Sequence, residues 1–384
     1  MVMMDAIEAK VEQGQRLSFE DGIELFRCRD VVALGQLANR VRERRHGDKT
    51  YFNRNIRIEV TNVCTASCLF CSFAKLEEGM PGAHTMSLDE AWKELDDLKG
   101  DPPTEIHIVN GLHPKLPFQY YEDLLAGFKR RAPSVHLKCF TAVEIHFFAE
   151  LYSMTIREVM TRLKAAGLDS LPGGGAEIFA PEVRSRIARG KATGDEWLEV
   201  HRVAHSLGLH SNATMLYGHI ETFEHRVEHL LRLRQLQDET GGLLAFIPLA
   251  FHPEGNGMKN LPAPTACDSL RTVAVARLLL DNVPHIKAYW VSMTPEVAQM
   301  ALRFGADDID GTVVHETIYR SAGSRTPGAM TVNDLVRLIR EAGRTPIERD
   351  TLYDVVKDYG SSLVPEASFK VSERKADRHL RAMS

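Results

Sequence analysis

The chain has 384 residues, 44% of them hydrophobic and 26% charged, and its 47 basic and 52 acidic side chains leave a net charge of −5. That composition can bury a large core, which excludes disorder as the main state. With no long block of one sign, nucleic acid is not expected as a partner.

Residues 1–50 read as a helical N-terminal extension. The opening MVMMDAIEAK places Asp5 and Glu8 where a secretory signal would carry basic residues. The basic cluster Arg42, Arg44 and Arg45, interrupted by Glu43, reads as a solvated helix end. Beyond residue 50, short apolar runs alternate with stretches of helical period. Strands are expected at 56–60, 105–110, 136–145, 170–179, 210–218, 243–251, 285–293 and 307–314. Ser87 and Glu90 form a capping-box pattern ahead of Ala91, Trp92, Leu95 and Leu98. Phe223, Val227, Leu230 and Leu231 mark another helical stripe, and Thr331 caps a last helix with Asp334 in its first turn. The longest apolar run, 243–251, is nine residues and contains Pro248, against the roughly 20 that a spanning helix needs. A cytoplasmic protein with no membrane partner is therefore expected.

Eight strand–helix units in series predict an α/β fold, a (βα)8 barrel of TIM type over residues 51–343. Residues 344–384 would form a short C-terminal extension, frayed after Ser372. An open, doubly wound sheet is the alternative, but no G-x-G-x-x-G follows the first strand, and Gly173, Gly174 and Gly175 are consecutive.

Of six cysteines, Cys28, Cys139 and Cys267 are scattered among apolar neighbours and read as buried thiols. Cys64, Cys68 and Cys71 are crowded into the loop after the first expected strand, spaced C-x3-C-x2-C. In a barrel, that loop lies on the face that carries active sites. A closed zinc site needs a fourth ligand and commonly uses two separated pairs; no second cysteine pair exists, and His84 is the nearest downstream histidine. A 4Fe–4S cluster normally takes four cysteines, so three would leave one iron open. A non-catalytic, zinc-bound structural protein is the bland alternative.

C-x3-C-x2-C with Phe70 just before the last cysteine resembles the radical S-adenosylmethionine superfamily. The resemblance implies that Cys64, Cys68 and Cys71 hold a 4Fe–4S cluster whose open iron binds S-adenosyl-L-methionine. Over about residues 15 to 345 the chain is similar to the aminofutalosine synthase family, through YFNRNIRIEVTNVC, GLHP (111–114), CFTAVEI (139–145), GLDSLPGGGAEIF (167–179), ATMLYGHIET (213–222), FIPLAFHP (246–253) and DIDGTVVHETIY (308–319). This implies addition of the 5′-deoxyadenosyl radical to a small molecule, 3-[(1-carboxyvinyl)oxy]benzoate, with S-adenosylmethionine consumed as co-substrate. The products would be 6-amino-6-deoxyfutalosine, methionine and bicarbonate, in menaquinone biosynthesis. No ferredoxin domain is visible, so a flavodoxin or ferredoxin would bring the electron. The sister dehypoxanthine futalosine cyclases share LPGGGAEI and differ where this chain has FHP and DIDGTVVHE. They are the alternative, with a tyrosine-using member of the same branch further off.

The resemblance places Asn110 and Gly111 where backbone carbonyls meet the methionyl amino group, with Asn110 standing in for a first glycine. As a plain turn, Asn-Gly is equally natural. Glu144, near the end of the third strand, would accept from ribose hydroxyls or the methionyl ammonium, unless it is only a solvated strand end. The three glycines before Glu177 would form a wall that no side chain intrudes upon, with Glu177 bonding the substrate; a flexible bend is the plainer account. Arg189 and Lys191 would meet carboxylates, or else form a charged helix end. Tyr217, His219 and His252 are assigned to the active face by strand position, and Met215 to the core. Glu177 and His252 are thus the candidate catalytic residues. Asn110, Gly111, Glu144, Arg189, Lys191 and Tyr217 are the candidate cofactor-binding ones.

Overall fold

A computed structural model describes residues 2–98 and 100–361; the expected fraying after Ser372 lies outside the described residues. Eleven strands are present among them: β1 (Lys49–Asn53), β2 (Asn55–Ile58), β3 (Glu105–Ile108), β4 (His136–Cys139), β5 (Ser170–Leu171), β6 (His210–Tyr217), β7 (Leu243–Ala250), β8 (His285–Ile286), β9 (Asp308–Gly311), β10 (Thr345–Arg349) and β11 (Val355–Asp358).

β2 to β8 form one parallel sheet in sequence order. The segment around β9 joins its two edges. Lys287 bridges to Asp308 on one side and Ile56 to Val314 on the other, with Asp307 N donating to Ile286 O (3.1 Å) and Arg57 N to Val314 O (2.8 Å). The expected eight-stranded TIM-type architecture is therefore present as seven regular strands and one irregular closing segment. Helices Phe118–Arg131, Ile156–Ala166, Gly194–Ser206, Phe223–Thr240 and Ala266–Leu279 alternate with these strands. The expected caps at Ser87 and Thr331 are both reciprocal capping boxes. No described helix is long and apolar enough to cross a membrane.

Three expected strands end six or more residues early, for one reason. Each reaches a residue pattern that starts something else. The run 136–145 stops at Cys139 because Thr141 caps a helix, Ala142–Leu151, in a capping box with Glu144. Phe140, at φ 61°, makes the corner. The run 170–179 keeps only Ser170–Leu171 before the glycines turn the chain, and 285–293 gives way to a short helix at Trp290.

The flanking segments meet each other. Helices Val2–Glu12, Phe19–Arg27 and Val31–His46 lead into β1, which lies between β10 and β9 in a second sheet of order β11-β10-β1-β9. Arg42 corrects the reading of a solvated helix end. It is fully buried, and its guanidinium donates to the Gly47, Lys49 and Ala306 carbonyls and to Thr50 Oγ1. Among the scattered cysteines, Cys139 is buried as expected, but Cys28 is half-buried and Cys267 exposed.

The barrel interior is unusual. TIM barrels fill it with branched apolar side chains. Here Arg57, His107, Lys138 and Ser170 stand side by side in register across β2 to β5, and the first three line an internal cavity. Period-2 alternation sends Ile56, Ile58, Ile106 and Leu137 to the opposite face, where they are buried in the core.

Candidate active site

The cavity opens where the strands end and has about 260 Å³ available to the centre of a water molecule. Cys64, Cys68, Cys71, Asn110, Glu144 and Glu177 all line it, as do Gly111, Lys191 and His252.

The cysteine loop is pinned by four backbone hydrogen bonds to three segments. Cys64 N donates to Lys75 O (2.8 Å), Thr65 N to Leu112 O (3.1 Å), Ser67 N to Arg189 O (3.1 Å) and Leu69 N to Ile187 O (2.8 Å). Burial pushes the Cys68 thiol up to about 11, against the pull of Lys191, and burial likewise raises Cys64. A thiol held up this way is a poor free nucleophile and needs a cation to ionise it. The three thiols sense one another's charge. Among the described residues, however, the ligand set drawn within 4.8 Å is a different one, His46–His285–Asp307, where helix Val31–His46 ends and β8 and β9 begin. Four ligands of a single zinc at about 2.3 Å would have to be that close. A cluster offers a separate iron to each thiolate, so this looser donor set fits it.

The Asn110–Gly111 turn packs on the cysteine loop. A Cβ on Gly111 would lie 2.2 Å from Val63 O, so only glycine allows this approach. Asn110 does more than replace a glycine. Its Oδ1 accepts from Val60 N (2.8 Å), while its own N and Nδ2 donate to Glu144 Oε1 (3.1 and 3.2 Å). Glu144 Oε2 accepts from Thr141 N and Oγ1 (2.8 and 2.9 Å). Glu144 is therefore not at a strand end; it sits in a helix's first turn and ties that helix to the Asn110 turn. Burial pushes its carboxyl up to about 7 in spite of those donors.

At the glycine wall, a Cβ on Gly173 would press to within 2.7 Å of the Ala213 backbone. Lys191 Nζ pairs with Glu177 Oε1 (2.8 Å) and lies 5.2 Å from the centre of the Phe70 ring. Burial opposes the Lys191 charge, but Cys68 and Glu177 hold its ammonium above the usual range. His252 Nε2 donates to Ser292 O (2.7 Å), and its ring meets Tyr319 edge-on.

Three expected residues fall outside the cavity. Tyr217 is fully buried on the other face of β6, donating to Ser269 Oγ (2.8 Å), whereas Asn212, Thr214 and Leu216 alternate with it and face the cavity. One residue of register along β6 separates Tyr217 from the inward-facing set. Arg189 is exposed and contributes its carbonyl to the cysteine loop instead of a guanidinium to a carboxylate. His219 is likewise absorbed locally, by Glu221 (3.0 Å) and Leu216 O (3.1 Å). Met215 is core, as expected.

Sequence reading missed the polar floor and one wall. Arg57 donates to His107 Nδ1 (2.7 Å) and pairs with Asp310 (3.2 Å), which also pairs with Lys287 (3.2 Å). Lys138 pairs with Glu105 (2.5 Å). Glu59 and Glu316 line the wall. Arg57 and Glu59 alternate with Ile56, Ile58 and Val60, which marks one polar face of the strand but not that this face points inward.

Residues 58–233 match the radical SAM superfamily and residues 240–361 the CofH/MqnC C-terminal region. The chain is 51% identical to the aminodeoxyfutalosine synthase of Thermus thermophilus, over 91% of this chain and 95% of that one. It is 36% identical to the cyclic dehypoxanthine futalosine synthase of Halalkalibacterium halodurans, over 95% and 98%. In fold it is similar to the crystal structure of methylornithine synthase (PylB), with a TM-score of 0.70 at 17% identity, over 88% of this chain and 97% of that one.

Proposed function

The chain belongs to the radical SAM superfamily and, within it, to the aminodeoxyfutalosine synthases, and from that premise we propose that it joins the 5′-deoxyadenosyl group of S-adenosylmethionine to 3-[(1-carboxyvinyl)oxy]benzoate, giving 6-amino-6-deoxyfutalosine, methionine and bicarbonate. The superfamily works with a 4Fe–4S cluster and S-adenosylmethionine, which together supply one electron and a 5′-deoxyadenosyl radical. The observation that supports the reading most is the meeting of three thiols, the Asn110–Gly111 turn and the glycine wall on one cavity.

Cys64, Cys68 and Cys71 would hold the cluster, on a loop whose backbone is fixed in advance. Gly111 lets the second loop come close, and Glu144, through Asn110, keeps that loop from moving. Lys191, charged and paired to Glu177, stands beside Cys68 and balances thiolate charge. His252 and Glu177 face the same space and would orient the substrate. Preorganised donors in a closed cavity hold reacting atoms in near-attack contact and keep water out. A flavodoxin or ferredoxin is the proposed electron donor.

Adenine-labelled S-adenosylmethionine, supplied with the enolpyruvyl benzoate and a reductant without oxygen, tests the proposal. Label in a nucleoside that carries the benzoate supports it. Label recovered only as 5′-deoxyadenosine, with turnover of dehypoxanthine futalosine, would transfer the chain to the cyclase reaction.

A further inference from the structure

One cavity cation stands apart from the floor. Arg57, Lys138 and Lys287 line the floor and are paired there with Asp310 and Glu105. Lys191 is held elsewhere, against the cysteine loop. Its segment is tied to that loop by Leu69 N donating to Ile187 O (2.8 Å) and Ser67 N to Arg189 O (3.1 Å). At Gly190 the two backbones are so close that a Cβ would lie 3.4 Å from Ala66 Cα. The next side chain reaches the cavity. Its ammonium lies 5.2 Å from the ring centre of Phe70, the residue before Cys71, and pairs with Glu177 (2.8 Å). The Lys191 side chain is 18% exposed and that of Glu177 7%, so dissolved salt screens the pair little. A second cation that senses Cys68, Arg184, is spent on the carbonyls of Gly175, Ala176 and Ala192 and does not line the cavity.

Resting on the cluster reading above, we propose that Lys191 raises the reduction potential of the cluster, its ammonium being fixed beside the thiolates by Glu177. Reduction takes one electron from the donor protein and makes or breaks no bond, so the cluster gains one negative charge. A fixed cation in a site largely closed to water stabilises that charge, and the local charge balance is one of the factors that set such potentials. Lys191 does not cancel against its partner. At Cys68 its pull exceeds the push of Glu177, and it pulls on Cys64 as well. The effect needs no S-adenosylmethionine, so it is separable from any contact of Lys191 with the methionyl carboxylate. A flavodoxin or ferredoxin would then load the cluster against a smaller potential difference.

The test is an anaerobic redox titration of the cluster-loaded full chain without S-adenosylmethionine, with the reduced cluster read by electron paramagnetic resonance. Poised at the native midpoint, Lys191→Met should show a reduced-to-oxidised ratio about tenfold lower, equivalent to about 59 mV for one electron. Lys191→Arg keeps the charge and should stay within about threefold of native. If Lys191→Met holds no iron because Glu177 is left without its cation, the double variant Lys191→Met/Glu177→Gln decides, and its ratio should still fall about threefold. An unchanged or raised ratio in the variant that holds iron, or an arginine variant that falls as far as the methionine one, overturns the inference. Loss of iron from both the single and the double variant assigns Lys191 to cluster assembly and overturns it too. A native chain that takes up no iron, or that keeps it when Cys64, Cys68 and Cys71 are all replaced, overturns the cluster reading and this inference with it.

Discussion

Cys64, Cys68 and Cys71 were legible at once, because three thiols in eight residues have few other uses. Under the proposed reading, Ala at any one of them leaves two thiolates. Iron content should fall from about four per chain, and the brown absorbance and turnover should go with it; a fully active variant without iron would sink the assignment. Glu59 was not legible, since nothing in a sequence says that a charged strand residue faces inward. Its carboxyl titrates near 4.5 in the unfolded chain but is held up at about 8 in the folded one by burial and by Glu316. The folded state therefore keeps a proton that the unfolded state releases, so this group's contribution is full at about pH 4 and is lost progressively as pH rises toward 8. Glu59→Gln should show a higher Tm than native at pH 8 and a much smaller gain at pH 5. Thermal denaturation at the two pH values checks it. Tyr217 shows the converse failure. Its type suited a binding role, but a register error of one residue reverses the face.

Helix Ala142–Leu151 decides how the second loop is held, and it was overlooked although Thr141 and Glu144 form the same pattern that gave away the helix after Ser87. Apolar, β-branched neighbours masked it, since a short run rich in Phe, Val and Ile reads as strand until the cap is noticed. Thr141→Ala removes the N-cap acceptor and one donor to Glu144. It should cost about 1–2 kcal/mol in denaturant unfolding and raise KM for S-adenosylmethionine through the loosened Asn110 turn. Asn110→Ala should cost about 1–3 kcal/mol, because Val60 N would lose its buried acceptor. Gly111→Ala should be worse than either. Its Cβ would meet backbone, not a flexible side chain, so the cysteine loop itself must shift. Failure of this variant to retain iron, with near-native far-UV dichroism, is the expected result.

Over the whole molecule, the series of strands and helices announced the barrel because each unit is local. The second sheet was invisible because its central pairing is not. Lys49 pairs with Thr345, and no periodicity links segments so far apart. The same C-terminal stretch braces the cavity from below: Thr351 Oγ1 donates to Glu105 Oε2 (2.8 Å) and Arg349 Nε to Asp308 Oδ2 (2.8 Å). Ending the chain at residue 343 should therefore aggregate it or broaden its unfolding transition, which light scattering and calorimetry would show. That pairing also sets a clock. A ribosome adding about 5–20 residues per second needs about 15–60 s to travel from Lys49 to Thr345. For most of that interval the nascent chain carries β1 with both edges unpaired, since β9 also comes late, and the barrel lacks its lower brace, while the cysteine loop has long since emerged. Metal delivery to the three thiols is best timed after release, when Arg349 and Thr351 have sealed the base, and a chain stalled near its end would be the form most exposed to oxygen.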